Sequence, residues 1–140
     1  VREVDVRRLL QQPWNMVASD GAYVDPREGT RGHPRSSGTF PRVLGRYVRE
    51  QRALTLEDAV RKMTSFPAAF VGLHDRGRVA EGMAADLAIW NPRTISDQST
   101  WEAPSRMATG VVHVLVGGVA VLRDGAMTGA APGRYLMARH

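Results

Sequence analysis

Asn15-Met16-Val17-Ala18-Ser19-Asp20-Gly21 is a short, mostly apolar run that ends abruptly in an acid and a glycine. A run of this length bounded by a turn signal predicts a buried strand over residues 15–19. Upstream, Val4, Val6, Leu9 and Leu10 lie within an otherwise polar, charged stretch over residues 3–12. That pattern is compatible with a helix, which Pro13 stops. A helix leading into a buried strand is the repeating unit of parallel α/β folds. Ser19-Asp20-Gly21 then falls at the carboxyl end of a buried strand, where barrel enzymes carry their catalytic groups. An acid there, followed by a glycine that permits close backbone approach, can bind a metal or move a proton. The plainer alternative is an aspartate that caps a turn, and a motif this short favours it when taken alone.

Downstream, residues 21–38 are rich in Gly, Pro and Arg and read as a long loop, a feature usually tied to function or disorder. The loop brings Arg27, Arg31, His33 and Arg35 close behind Asp20. A guanidinium in that position could grip a substrate carboxylate with two parallel hydrogen bonds; the alternative is a set of solvated loop charges. Thr39 is the expected cap of a helix with Pro41 in its first turn. Val43, Leu44, Tyr47 and Val48 form its apolar face, and Arg42, Arg46, Arg49 and Glu50 point outward. Thr55 caps the next helix, with Glu57 and Asp58 at its positive start and Leu56, Ala59, Val60 and Met63 on one face. Ser65 and Pro67 open a short helix, Ala68 to Val71, which Gly72 ends.

After Gly72 the pattern changes to strands. Glycines bracket a short extended piece at residues 77–82, and Asp86 to Trp90 is a second strand. Residues 93–109 are polar and irregular. Val111 to Val116 and Val119 to Leu122, joined by Gly117-Gly118, predict a hairpin, and Asp124-Gly125 a further turn. The chain thus divides into an α/β part, residues 1–73, and a β-rich part, residues 74–140. The second is too small to close a sandwich by itself and is expected to complete a sheet begun elsewhere.

The bulk properties bound the function. The 140 residues are 43% hydrophobic, which fits a globular chain with a core. No apolar run reaches about 18 residues, so no membrane-spanning helix is expected. The start, Val1-Arg2-Glu3-Val4-Asp5, has neither a signal pattern nor an initiator Met, and a cut or incomplete chain is expected. The absence of cysteine excludes a disulfide framework and a thiolate metal site, and fits a reducing cytoplasm. A net charge of +5 and a pI near 10.6 raise nucleic acid as a partner. The basic residues are dispersed, however, and no finger spacing or aromatic-basic motif accompanies them. Of 19 basic residues only Lys62 is a lysine, the mark of a GC-rich genome and a solvated arginine surface. His74, His113 and His140 share no ligand spacing, and His113 alternates within a strand as a structural residue. Trp14, Trp90 and Trp101 read as packing residues.

Several segments, taken in order, resemble the end of a D-aminoacylase (N-acyl-D-amino-acid deacylase) of the metal-dependent amidohydrolases. They are Ser19-Asp20-Gly21, His33-Pro34-Arg35, the run from Gly38-Thr39-Phe40-Pro41-Arg42 to Tyr47, Thr55-Leu56-Glu57-Asp58-Ala59 and Lys62-Met63-Thr64-Ser65 with Pro67-Ala68. Gly77-Arg78-Val79 with Gly82, Ala85-Asp86-Leu87, and Gly129 with Pro132-Gly133-Arg134 follow. The Gly-Thr-Phe-Pro-Arg segment is the most specific of these. The resemblance implies an α/β fold: the last strand, residues 16–19, and helices of a (β/α)8 TIM-like barrel, followed by carboxyl-terminal strands of a small β-sandwich domain. It implies zinc, with Asp20 as metal ligand and as the general base that takes a proton from zinc-bound water and delivers it to the departing amine. It implies an N-acyl amino acid as substrate, with Arg27, Arg31, His33 and Arg35 as candidate contacts, and neither nucleic acid nor membrane as partner. The histidine ligands of the family are absent from these residues. A lone carboxylate does not hold catalytic zinc, so the expected partner is the missing amino-terminal portion of the same enzyme. Another amidohydrolase, dihydropyrimidinase-like or imidazolone-type, or a non-catalytic interaction module, are the alternatives.

Overall fold

A computed structural model describes residues 2–22 and 32–137. Arg27 and Arg31 lie outside the described residues, as does His140. The helical half consists of α1 (Glu3–Leu10), α2 (Arg35–Arg42) with a π-helical continuation (Val43–Glu50), α3 (Leu56–Met63) and α4 (Ser65–Phe70). The remainder carries β1 (Leu87–Trp90), β2 (Val111–Val116), β3 (Val119–Arg123) and β4 (Ala126–Met127), one antiparallel sheet in the order β1-β2-β3-β4.

The strongest local signals form as expected. Thr55 Oγ1 accepts a hydrogen bond from the Asp58 N–H at 3.2 Å and caps α3. α4 ends on Gly72 at φ +76, with Leu73 N–H donating to Ala68 O at 2.8 Å and Gly72 N–H to Ala69 O at 3.2 Å. That pair of bonds is the Schellman arrangement, and its left-handed residue is why a glycine stands there. The β2–β3 turn places Gly117 and Gly118 at φ +56 and +82, which a tight two-residue hairpin demands. His113 Nδ1 accepts from the Asp124 N–H at 3.2 Å and serves the sheet, as read from its alternation.

Other expectations are corrected. Residues 15–19 form no strand, and no strand among the described residues pairs with them. The Val17 N–H instead donates to Lys62 O of α3, at 3.1 Å. The helix expected to be capped by Thr39 instead starts at Arg35, with Pro34 as its cap residue. His33 Nδ1 accepts the Arg35 N–H at 3.1 Å and Pro34 O accepts the Gly38 N–H at 2.8 Å, so the loop itself nucleates the first turn. Thr39 instead lies within the helix and donates its hydroxyl to Arg35 O at 2.8 Å. Pro41, which has no N–H to give, is followed by a wider coil, closed by the i→i+5 bond from Gln51 N–H to Arg46 O at 2.8 Å. Residues 77–82 form no strand but a bend at 77–78 and a turn at 81–82, with Gly77 and Gly82 at φ +90 and +78. Trp14 and Trp101 are not core residues, being 63% and 69% exposed.

The core of the helical half gathers Leu10, Val43, Tyr47, Leu54 and Ala59, with Val6, Val17, Val48 and Met63 packed on it. Lys62 is buried beside this cluster with no solvent exposure.

A seam joins this half to residues 91–99. Gly38, Arg42, Gly45 and Arg49 lie on one side of the α2–π rod. A Cβ on Gly38 would collide with the Ser99 hydroxyl, and one on Gly45 would come within 2.7 Å of Ile95 O. Arg42, expected to point outward, instead donates to Asp97 Oδ2 at 2.9 Å from Nε, and its Nη2 lies 2.7 Å away. Arg49 also turns in, donating to Ile95 O at 2.5 Å. The two glycines let the rod approach closely enough for the two arginines to reach. Ile95, 2% exposed, seals the seam.

Candidate active site

Asp20 ends the irregular segment that leaves the core at Val17. Its backbone sits at φ +46, a left-handed conformation that Asp tolerates better than most residues. Gly21 follows with its Cα pressed on α2; an added Cβ would come within 2.7 Å of Ser36 Cα. The turn is tied by the Gly21 N–H donating to Ser19 Oγ at 3.3 Å. The sharp bend and the missing Cβ bring the acid against the first residue of α2. Arg35 Nη2 and Asp20 Oδ2 are 3.0 Å apart. Both groups face water, the carboxylate 84% exposed, so the pair contributes little stability but sets the carboxylate's direction.

His33 stands two residues before Arg35. Its Nδ1 is engaged by the Arg35 backbone, and its ring meets Trp101 edge-on at 4.5 Å. Ser99, 5% exposed, donates its hydroxyl to Pro34 O at 2.8 Å. The loop before α2 is therefore braced by residues more than 60 positions downstream. Of the residues expected at the site, Asp20, His33 and Arg35 come together, while Arg27 and Arg31 lie outside the described residues. Sequence reasoning missed Ser99 and the placement of Trp101, whose only local signal was a polar, irregular stretch.

An open apolar groove of about 300 Å³ runs beside residues 15–18, lined in part by Met16, Ala18, Val43 and Tyr47. A cavity of about 450 Å³, between residues 72–76 and 134–137, touches none of the expected site residues.

Among the described residues no three His, Cys, Asp or Glu side chains gather where one metal ion could sit. Catalytic zinc takes about three protein ligands. Asp20 supplies one carboxylate, so these residues do not by themselves fit a zinc site. What the arrangement offers is an exposed carboxylate held by a guanidinium.

Comparison with known proteins identifies the family. The amidohydrolase family profile matches residues 4–122. The chain belongs to the amidohydrolase family. Within it, the chain is 48% identical over 134 residues to an N-acyl-D-glutamate deacylase of Alcaligenes xylosoxydans xylosoxydans, covering 96% of this chain and 26% of that protein. It is 44% identical to a D-aminoacylase of the same organism, covering 96% of this chain and 27% of the relative. Among solved structures, the N-acyl-D-glutamate deacylase of Bordetella bronchiseptica, complexed with zinc and a phosphonate mimic of the tetrahedral intermediate, superposes with a TM-score of 0.80 at 41% identity. That match covers 93% of this chain and 28% of the other. This amidohydrolase chain thus spans about a quarter of the length of the curated relatives it matches.

Proposed function

We propose that these residues are the carboxyl-terminal quarter of a metal-dependent N-acyl-D-amino-acid deacylase, which hydrolyses the amide bond of an N-acyl-D-amino acid to a carboxylate and a free D-amino acid. In this reading residues 1–73 contribute the last strand and helices of the (β/α)8 barrel, and residues 74–140 contribute strands to a small β-domain. The ion pair between Asp20 and Arg35 is the observation that supports it, because a carboxylate that can carry a proton lies beside a guanidinium that can bind a carboxylate.

Hydrolysis requires a proton to leave the attacking water and a proton to reach the departing nitrogen. A single carboxylate can do both in turn. Asp20 takes the first proton as the water adds to the amide carbon, then gives it to the nitrogen as the carbon–nitrogen bond breaks. Arg35 exchanges Asp20 for the carboxylate of the bound amino acid, which its planar fork grips through two bonds. The exchange leaves Asp20 with an unshared lone pair when substrate is in place. Arg27, Arg31 and His33 are the further candidate contacts for an acidic substrate. Zinc in the complete enzyme would be held mainly by side chains outside this chain, with Asp20 as one ligand. The lack of cysteine fits a cytoplasmic setting.

The test is Asp20→Asn in the complete enzyme. The variant keeps the shape of the side chain and removes its basicity. Turnover should fall by about 10²- to 10⁴-fold, the usual range for general acid–base catalysis, with an unchanged circular dichroism spectrum. Turnover near that of the parent would refute the assigned role.

A further inference from the structure

We propose that Lys62 is a positioning residue for the reaction, holding the segment that ends in Asp20 at the place where the carboxylate works. The inference rests on the reading of Asp20 given above. Lys62 is the one lysine among 19 basic residues. In a chain that uses arginine at every other basic position, the exception is also fully buried. The structure shows what an ammonium does there that a guanidinium would not. Nζ donates to Leu10 O at 2.6 Å and to Gln12 O, the last carbonyls around the end of α1, and lies 3.5 Å from Asp58 Oδ2. Three acceptors thus converge on one compact charge. The wider, planar fork of arginine presents its donors over too large a span to replace it.

Lys62 grips the same segment a second time. Its backbone carbonyl accepts the Val17 N–H at 3.1 Å. Its neighbour Arg61 donates to Pro13 O at 3.2 Å. Residues 10–17 are therefore tied to α3 at four points, and Asp20 lies three residues beyond the last. In the complete enzyme a barrel neighbour would pair with residues 15–19 from one side; these ties, with the core contact of Val17, hold the segment from the α3 side. A catalytic group displaced by about 1 Å can lose on the order of 10²-fold in rate.

The experiment uses the complete enzyme and measures kcat and KM separately, with the melting temperature of each variant. Asp20→Asn is measured alongside. Lys62→Met, which fills the volume without the donors, should lower kcat at least about 10-fold while KM stays within about 2-fold. Lys62→Arg should not restore kcat, because the charge alone is not what the site uses. A parental kcat in a folded Lys62→Met enzyme overturns the inference, as does a loss that falls equally on KM, or recovery in Lys62→Arg. If Lys62→Met does not fold, Arg61→Gln decides, since it cuts the tie to Pro13 at a partly exposed side chain. A kcat decrease of about 3-fold at constant KM then supports positioning, and an unchanged kcat overturns it. Parental turnover in Asp20→Asn would instead remove the proposed function. A dead Asp20→Asn beside a fully active Lys62→Met would remove only the role of Lys62.

Discussion

Tyr47 shows how a single buried residue carries a condition-dependent contribution. It is 5% exposed within the helical core. Burial pushes its phenol above the ordinary value of 10.0, and the Glu3 carboxylate, through a hydrogen bond and its charge, pushes further the same way. The folded form therefore keeps the phenolic proton to a higher pH than the unfolded chain does. Its contribution is complete below pH 10 and disappears as pH rises through the folded value. Melting temperatures followed from about pH 9 upward should decline, and Tyr47→Phe should flatten part of that decline. Identical slopes in both proteins would show that other groups are responsible. At this scale the sequence was readable where a residue's role is local. The sharp bend at Asp20 was readable in the abrupt change from apolar run to Asp-Gly. Lys62 stood out only as a compositional oddity, since nothing local marks the carbonyls of Leu10 and Gln12 as its partners, 52 and 50 residues away.

The elements divide along the same line. α3, α4 and the β2–β3 hairpin were legible because their signals lie within a few residues: a threonine cap, a left-handed glycine, a two-glycine turn. Thr55→Ala should cost about 1 kcal/mol of stability, the usual worth of such a cap. Chemical denaturation would detect it as a shifted midpoint at constant slope, and an unshifted midpoint would deny the cap its role. The cap of α2 was misplaced by five residues, Thr39 for Pro34, because Pro41 reads locally as a first-turn proline. The true start depends on His33 and Pro34 and on the Ser99 hydroxyl, which no helix rule could supply. The segment at residues 15–19 has the composition of a strand, but a strand exists only through its neighbours. The outward assignment of Arg42 failed similarly, since Asp97 is 55 positions away and gives no periodic sign of itself.

For the molecule as a whole, the match to about a quarter of each relative and the single carboxylate lead to the same expectation. The 140 residues supplied alone with zinc should show no deacylase turnover on N-acyl-D-amino acids, assayed by release of free amine. Measurable turnover would mean that these residues build a metal site without further chain, and the proposed function would need a different mechanism. No helix among the described residues is long and apolar enough to cross a membrane.

The bond from Ser99 to Pro34 has one more consequence. Pro34 is the residue immediately before Arg35, and Ser99 belongs to the stretch that leads into the sheet. A single hydroxyl thus clasps the β1–β2 connection to the turn that launches α2, so truncating that side chain in Ser99→Ala would leave the Pro34 carbonyl without this donor.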